Sequence, residues 1–569
     1  MEYRNFNAGA GAYLPQRLAV IGVGNDSALY SADKYEAAGS ADAVAKRYGY
    51  GSPLHLAARQ LFPSGGGGAN FPVTFYPLIA DTGSFAAATI RVTNTAASQT
   101  TIPADRYHFP DGVMDWYITL DAPLVLESGE HRDFTLTAAR KGFDQNLAAG
   151  IDVASVIDPA IPPGITVVCV DAVNGTDPGS APAQGTVSCD GTAAEAGEGT
   201  ITIGGVSAVF AILKGNTGAE VLSAMRSAIQ KVLEMPVTAG AIAGGEMPLT
   251  AKWSGATGND IAVKVDAAVE GLTFDVTAMS GGAVDPDVSP ALEQIGQVWE
   301  TFILSCFSYD NPSRLDQYQT FSQGRWSELE KKPCLVAHGC VDDFATRTAL
   351  TDQRKTDYAN FLIQSTGSGE LPFVIAAKGL VSDIMTNANA NPPLGYHGLL
   401  SGLAAGPDTA QENYTTRNNA VAKGASTNIK NGSAAELNDI ITFYHPDGES
   451  LPSRRYVVDL VKLQNVVFNI RAIMEADELK GAPLVSDETP TTNPKAVQPK
   501  TIKTALINLA NSLAAYAIIQ EPEFTKENMA VKISSQNPKR LDVRFPCKLS
   551  GNVEVTSTDI YFGFYLGAA

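Results

Sequence analysis

The arrangement of short apolar runs restricts the fold of this chain more than any other feature. R-L-A-V-I-G-V-G-N (17–25) and P-V-T-F-Y-P-L-I (72–79) have the length and the bounding turns of buried strands. Helical stretches fall between them, around Ala41–Tyr48 and from Pro53 onward. This α/β order breaks off at Asp81 and resumes only at 286–400, where W-E-T-F-I-L-S-C, K-P-C-L-V-A-H-G and L-P-F-V-I-A-A read as strands with helices between them. The simplest layout is one α/β domain, 18–80 plus 286–400, with 81–285 inserted between two of its strands, since insertions are tolerated at surface loops.

The interrupting segment has a different texture. Residues 81–180 alternate Thr, Val, Ile and aromatics between frequent turns, as in T-I-R-V-T-N-T and D-W-Y-I-T-L-D-A-P-L-V-L, and read as a β-sandwich-like unit. Residues 181–285 read as a second insertion of strands around one helix, with Val221, Met225, Ile229 and Val232 on a single face. Both are expected to face outward as decoration. Residues 1–17, rich in Gly and Ala with scattered aromatics, read as an N-terminal arm.

The last third carries the clearest periodicity. Tyr456, Leu460, Leu463, Val467, Ile470 and Met474 recur in steps of four and three, as one face of a long helix. Ile502, Leu506, Leu509, Leu513 and Tyr516 do the same. Val531 and Ile533, then Leu541, Val543 and Phe545, alternate about an N-P-K-R turn and predict a hairpin. Residues 401–557 therefore read as a C-terminal α/β domain, followed by a C-terminal arm at 558–569. The fold class expected is a multidomain α+β or α/β chain with β-rich insertions and terminal arms.

With 569 residues, the chain exceeds what one hydrophobic core serves. Its net charge of -19 repels phosphate backbones, so no direct nucleic-acid partner is expected. The N-terminus lacks the basic-then-apolar order of a signal peptide, and no apolar run approaches the ~20 residues that span a bilayer, so no membrane insertion is expected. Six cysteines are sparse for this length and suit mostly buried thiols, with a Cys169–Cys189 disulfide as the one pairing considered.

Candidate chemistry is thin. G-V-G-N-D-S (22–27) follows a strand, but Ser27 stands at the third glycine position of a dinucleotide fingerprint, so a tight turn is the expectation. G-G-G-G (65–68) lacks the Lys and Ser or Thr of a phosphate loop and reads as a linker. Cys334, His338 and Cys340 share one face of an extended run, yet no second ligand pair accompanies them and a buried strand is the plainer reading. His55, His108, His131, His397 and His445 are isolated in sequence. No catalytic, cofactor or metal residues are assigned, and no enzyme is expected.

A set of motifs in fixed order points elsewhere. V-Q-P-K-T-I-K-T-A-L-I-N-L-A (497–510), N-P-K-R-L-D-V-R-F-P (537–546) and the terminal D-I-Y-F-G-F-Y-L resemble the sheath proteins of Mu-like contractile phages. So do Y-G-Y-G-S-P-L-H-L-A (48–57), L-T-A-K-W-S-G-A-T-G-N-D-I-A-V-K-V (249–265) and M-S-G-G-A-V-D-P-D (279–287). Residues 82–180 have no counterpart in that pattern, and the N-terminal arm lacks the family's V-P-G-V-Y-like segment.

The resemblance implies a sheath subunit that assembles with itself as a helical stack of six-fold rings around a tail tube, bounded by baseplate and tail terminator proteins. It implies a virion tail component, made and assembled in the host bacterial cytoplasm, that contracts during genome ejection and host cell entry. It further implies arms that add strands to a neighbour's sheet. Tyr3 and Phe6 would contribute from the N-terminus, and Ile560, Tyr561, Phe562, Phe564, Tyr565 and Leu566 from the C-terminus. The acceptor would be the hairpin of Val531, Ile533, Leu541, Val543 and Phe545. Ile560, Phe562 and Phe564 fall on one strand face and Tyr561 and Tyr565 on the other, an apolar edge that is an aggregation hazard unless paired. Lys500 and Lys503 are candidate contacts to an acidic tube. The sheath of a non-phage injection device shares this mechanism. A surface-layer or adhesin-type β-rich protein and a nucleotide-using enzyme are the readings from other classes.

Overall fold

The computed structural model describes residues 13–25, 30–32, 34–79, 85–110, 115–141, 157–174, 180–388, 390, 392–449 and 453–553. Its centre is a six-stranded sheet in the order Glu36–Ala37, Val73–Leu78, Leu18–Val23, Phe302–Ser305, Leu335–Cys340, Asn360–Gln364. The five longer strands run parallel, and the short first strand is antiparallel to its neighbour. All five are buried along their whole length, which is why they read as unbroken apolar runs. Leu18 lies opposite Val73 on one side and Phe302 on the other, so the chain completes this sheet after its long excursion.

One strand differs from the sequence expectation. L-P-F-V-I-A-A forms the helix Pro372–Gly379, and the fifth parallel strand is N-F-L-I-Q at Asn360–Gln364. A short apolar run buried on every side has no period to separate helix from strand. Pro372 in the first turn, with Leu371 extended ahead of it, favours the helix. Helices Ala41–Tyr48 and Pro53–Leu61 stand where expected, with Ser40 and Ser52 side chains accepting from the backbone N–H three residues on. G-G-G-G lies in the connection between Pro53–Leu61 and strand Val73–Leu78.

The two inserted regions differ in how they pack. From Phe85 to Val173 the described chain is all β: a sheet in the order Ile165–Val173, Phe85–Asn94, His131–Lys141, plus two hairpin-like pairs. Its core is its own, formed by Ile90, Val92, Tyr107, Trp116, Leu126, Val167 and neighbours. The strands through which the chain enters and leaves are antiparallel partners, with Ala87 opposite Val173. Residues 184–280 instead form a four-stranded and a three-stranded sheet around the helix Gly218–Lys231. Val221, Met225 and Ile229 are buried in the same apolar cluster as the strands of the central sheet. The core of the second insertion is therefore continuous with the centre, whereas that of the first is separate.

Residues 457–549 carry a third core. Helix Pro499–Ala515 buries Ile502, Leu506, Leu509 and Leu513 as its spacing predicts, while Tyr516 at its end is 41% exposed. Helix Val457–Met474 departs from its predicted pattern. Leu460 is buried, but Tyr456, Leu463, Val467, Ile470 and Met474 are only half-buried, and the polar residues Lys462, Gln464, Asn465 and Asn469 are fully enclosed. Each of those four finds a hydrogen-bond partner, which makes their burial tolerable. None of the described helices is long and apolar enough to cross a membrane.

Candidate functional site

The chemical motifs are absorbed by packing. Gly24 sits at the end of strand Leu18–Val23, and the Tyr30 hydroxyl accepts from its N–H at 2.8 Å while donating to the Leu78 carbonyl. The Tyr30 ring packs directly on Gly24, where an added Cβ would meet it at 2.3 Å. His338 lies inside the sheet with Nε2 3.0 Å from Asn360 Oδ1, and burial pushes its pKa down to about 4. Burial also raises the Cys334 thiol to about 11 and the Cys340 thiol to about 12, so both stay protonated. His55 caps a helix start by accepting from Gly51 N–H at 2.9 Å, and burial lowers its pKa to about 4. Cys169 and Cys189 are free thiols in two different cores, so the disulfide considered from sequence is not formed.

Three of the sheath-like motifs meet at one seam between the second insertion and the central sheet. Gly51 of Y-G-Y-G-S-P (48–53) has φ +79, and a Cβ there would lie 2.4 Å from the Met235 carbonyl, so only glycine fits. Lys252 reaches across to the Tyr50 carbonyl at 3.4 Å. Trp253 Nε1 donates to Thr257 Oγ1 (3.2 Å), and Thr257 donates in turn to Asp285 Oδ1 (3.3 Å). Arg314 closes the chain with a 3.0 Å ion pair to Asp285, the two side chains being 6% and 4% exposed. Asn259 and Gly282 exchange two hydrogen bonds, joining 249–265 directly to 279–287. Their chemistry is structural: they weld the insertion to the sheet.

The remaining motifs build a surface in the last third. Strands Ala530–Ile533 and Leu541–Arg544 pair antiparallel, with Val531 opposite Val543 and Ile533 opposite Leu541. Among the described residues this sheet has two strands only, so both outer edges lack a strand partner. Val531, Ile533, Leu541, Val543 and Phe545 are all half-buried, apolar side chains incompletely covered by helix Pro499–Ala515. Lys500 is exposed in the first turn of that helix, its N–H held by Asp487 at 2.9 Å, and Lys503 is half-buried one turn on.

The described chain begins and ends at one corner beside this surface. Tyr13 is close enough to Tyr516 that, after burial, that phenol is the second influence raising its pKa. Ser550 donates its N–H to Ile518, two residues beyond Tyr516. Asn465 Oδ1 accepts from Leu14 N–H at 2.8 Å, and Lys462, three residues earlier, donates to the Ser550 carbonyl and to Asn552 Oδ1. Periodicity missed these two, because their partners lie 451 and 88 residues away in sequence. Tyr3, Phe6, Ile560, Tyr561, Phe562, Phe564, Tyr565 and Leu566 lie outside the described residues.

The chain is 26% identical over 375 residues to the Mu-like prophage FluMu tail sheath protein of Haemophilus influenzae, a match spanning 64% of this chain and 76% of that one. No family model matches. Among solved structures, the sheath tail protein Lin1278 of Listeria innocua aligns over 95% of this chain and 93% of its own, at 12% identity and a TM-score of 0.42. The sheath tail protein DSY3957 of Desulfitobacterium hafniense aligns over 94% and 93%, at 10% identity and a TM-score of 0.39. The relative is a tail sheath protein and not an enzyme.

Proposed function

We propose that this chain is the repeating subunit of a contractile tail sheath, polymerising as stacked six-membered rings around a tail tube. The observation that carries the reading is the ordered match to a tail sheath protein over three quarters of that protein's length. The hairpin supplies the physics. A two-stranded ribbon is marginal alone, and its open edges and half-covered apolar face suit an added strand. Residues 558–569 of a neighbouring copy provide one, with apolar side chains on both faces and backbone groups that need pairing. Tyr3 and Phe6 would serve the opposite linkage. Such head-to-tail addition does not close between two copies, so it generates rings and filaments.

In this reading 18–80 and 286–400 form the middle domain, 401–557 the assembly domain, and 81–180 an outer domain. Contraction requires no fuel. The extended state is held by the tube and baseplate, and release lets subunits repack while the arm linkages persist, the difference in contact energy driving the change. Lys500 and Lys503 face the tube. The protein resides in the virion tail after assembly in the host cytoplasm, meets a tail terminator at its far end, and acts during genome ejection.

Electron microscopy of the purified full chain and of a chain ending at residue 553 tests the reading. Striated hollow tubes from the full chain only, with equal melting temperatures for both, are expected. Monomers from both at every concentration would overturn it.

A further inference from the structure

Lys462 is a charged side chain only 1% exposed, on helix Val457–Met474. An ammonium removed from water costs several kcal/mol unless its donors are met. Here they are: its Nζ reaches the Ser550 carbonyl, Asn552 Oδ1 and, at 3.6 Å, the Asp459 carboxylate one turn earlier. An apolar residue of similar volume would stabilise a core as well or better. What the charge adds is direction, because it fixes the backbone at 550–552. Asn552 extends the grip by donating to the Pro393 carbonyl at 3.1 Å.

Three residues along the same helix, and therefore beside Lys462 on its surface, Asn465 holds the backbone at Leu14. Leu14 is packed with Trp299 and Phe468, and Gln16 Oε1 accepts from Thr301 Oγ1 at 2.7 Å. The two ends of the described chain are thus gripped by adjacent side chains of a single rigid element.

We propose that Lys462 and Asn465 form a clamp that couples the exit of the C-terminal segment to that of the N-terminal segment, so that a pull on either is passed to the other through helix Val457–Met474. Lys462 is a positioning residue in this scheme. The inference rests on the sheath reading for its purpose, but the coupling itself is a property of one chain. It makes each subunit a relay: displacement of the neighbour holding one arm re-aims the other.

Hydrogen exchange on the purified full chain tests this. Lys462→Met is expected to speed exchange at 549–552 by about tenfold and, as the decisive sign, to speed it at 14–17 several-fold. Strands Phe302–Ser305 and Leu335–Cys340 are expected to stay unchanged. Because coupling is reciprocal, Asn465→Ala is expected to loosen 549–552. Asn552→Ala, which leaves Lys462 the Ser550 carbonyl and the Asp459 carboxylate, gives a milder version should Lys462→Met fail to fold. Loosening confined to the mutated end in each case overturns the clamp. Absence of tubes from the parent chain defeats the sheath reading instead and leaves the exchange result standing. Tubes from Lys462→Met with parental yield and ring spacing would remove the clamp's part in assembly.

Discussion

The two insertions are of similar size and similarly rich in strands, yet they relate to the centre in opposite ways. Residues 85–173 enclose a core of their own around Trp116 and Ile90. Residues 184–280 contribute Met225, Ile229, Leu249 and Trp253 to the same cluster as Ile303 and Val336 of the central sheet. The first is an appendage on adjacent antiparallel strands, and the second is part of the body. Of the motifs that resemble tail sheath proteins, 249–265 lies in the second and 279–287 at its end, while none lies in the first. A region absent from the recognisable pattern is also the one the rest of the molecule does not lean on.

The largest test of that difference is excision. Removing 181–283 strips apolar neighbours from the cluster it shares with the central domain, and no soluble, cooperatively melting protein is expected. Removing 82–179 and rejoining the chain should leave the main calorimetric transition within a few degrees of the parent. Single substitutions sharpen the same contrast. Trp116→Ala is expected to cost about 3–5 kcal/mol within a separate, earlier transition belonging to the outer unit alone. Arg314→Met strands the Asp285 carboxylate at the seam and should cost a similar ~3–5 kcal/mol in the main transition. If both substitutions moved one common transition, the two insertions would not be distinct.

A smaller effect is expected from pH. Burial, and then the carboxylates of Asp310, Asp342 and Asp285, raise Asp260 at the seam to about 7. A raised carboxyl pKa favours the folded state while the group is protonated, so this contribution is complete below the ordinary carboxylate range and is lost as pH rises through about 7. The main transition should fall as pH rises from about 4 to about 7 and level off above it, by an amount on the order of 2 kcal/mol, and Asp260→Asn should flatten the profile. The outer unit's transition should not follow it. Smallest of all, Lys500→Glu with Lys503→Glu should shift stability by less than about 0.5 kcal/mol while abolishing co-assembly with a tail tube protein. Unchanged co-assembly would remove those lysines from the tube-facing surface.

Much of this was legible in the chain, for reasons specific to each element. Four of the five parallel strands announced themselves as uniform apolar runs, and helix Pro499–Ala515 by its spacing. The fifth strand and helix Pro372–Gly379 were exchanged because full burial erases periodicity. Helix Val457–Met474 announced one apolar face, which packs against the cores, but the burial of Lys462, Gln464 and Asn465 was not legible because their partners come from distant segments. The resemblance pointed to tail sheath proteins but could not show that 48–57, 249–265 and 279–287 meet in one seam, since their hydrogen bonds join residues remote in sequence. The terminal strand, where the resemblance puts assembly, lies beyond the described residues.

In the proposed sheath, assembly belongs to the last third and the outer unit is carried rather than needed. Electron microscopy of the chain lacking 82–179, beside the full chain, tests this most directly. Tubes of the same ring spacing and smaller outer diameter are predicted. A folded but unassembled variant, next to tubes of the full chain, would contradict it.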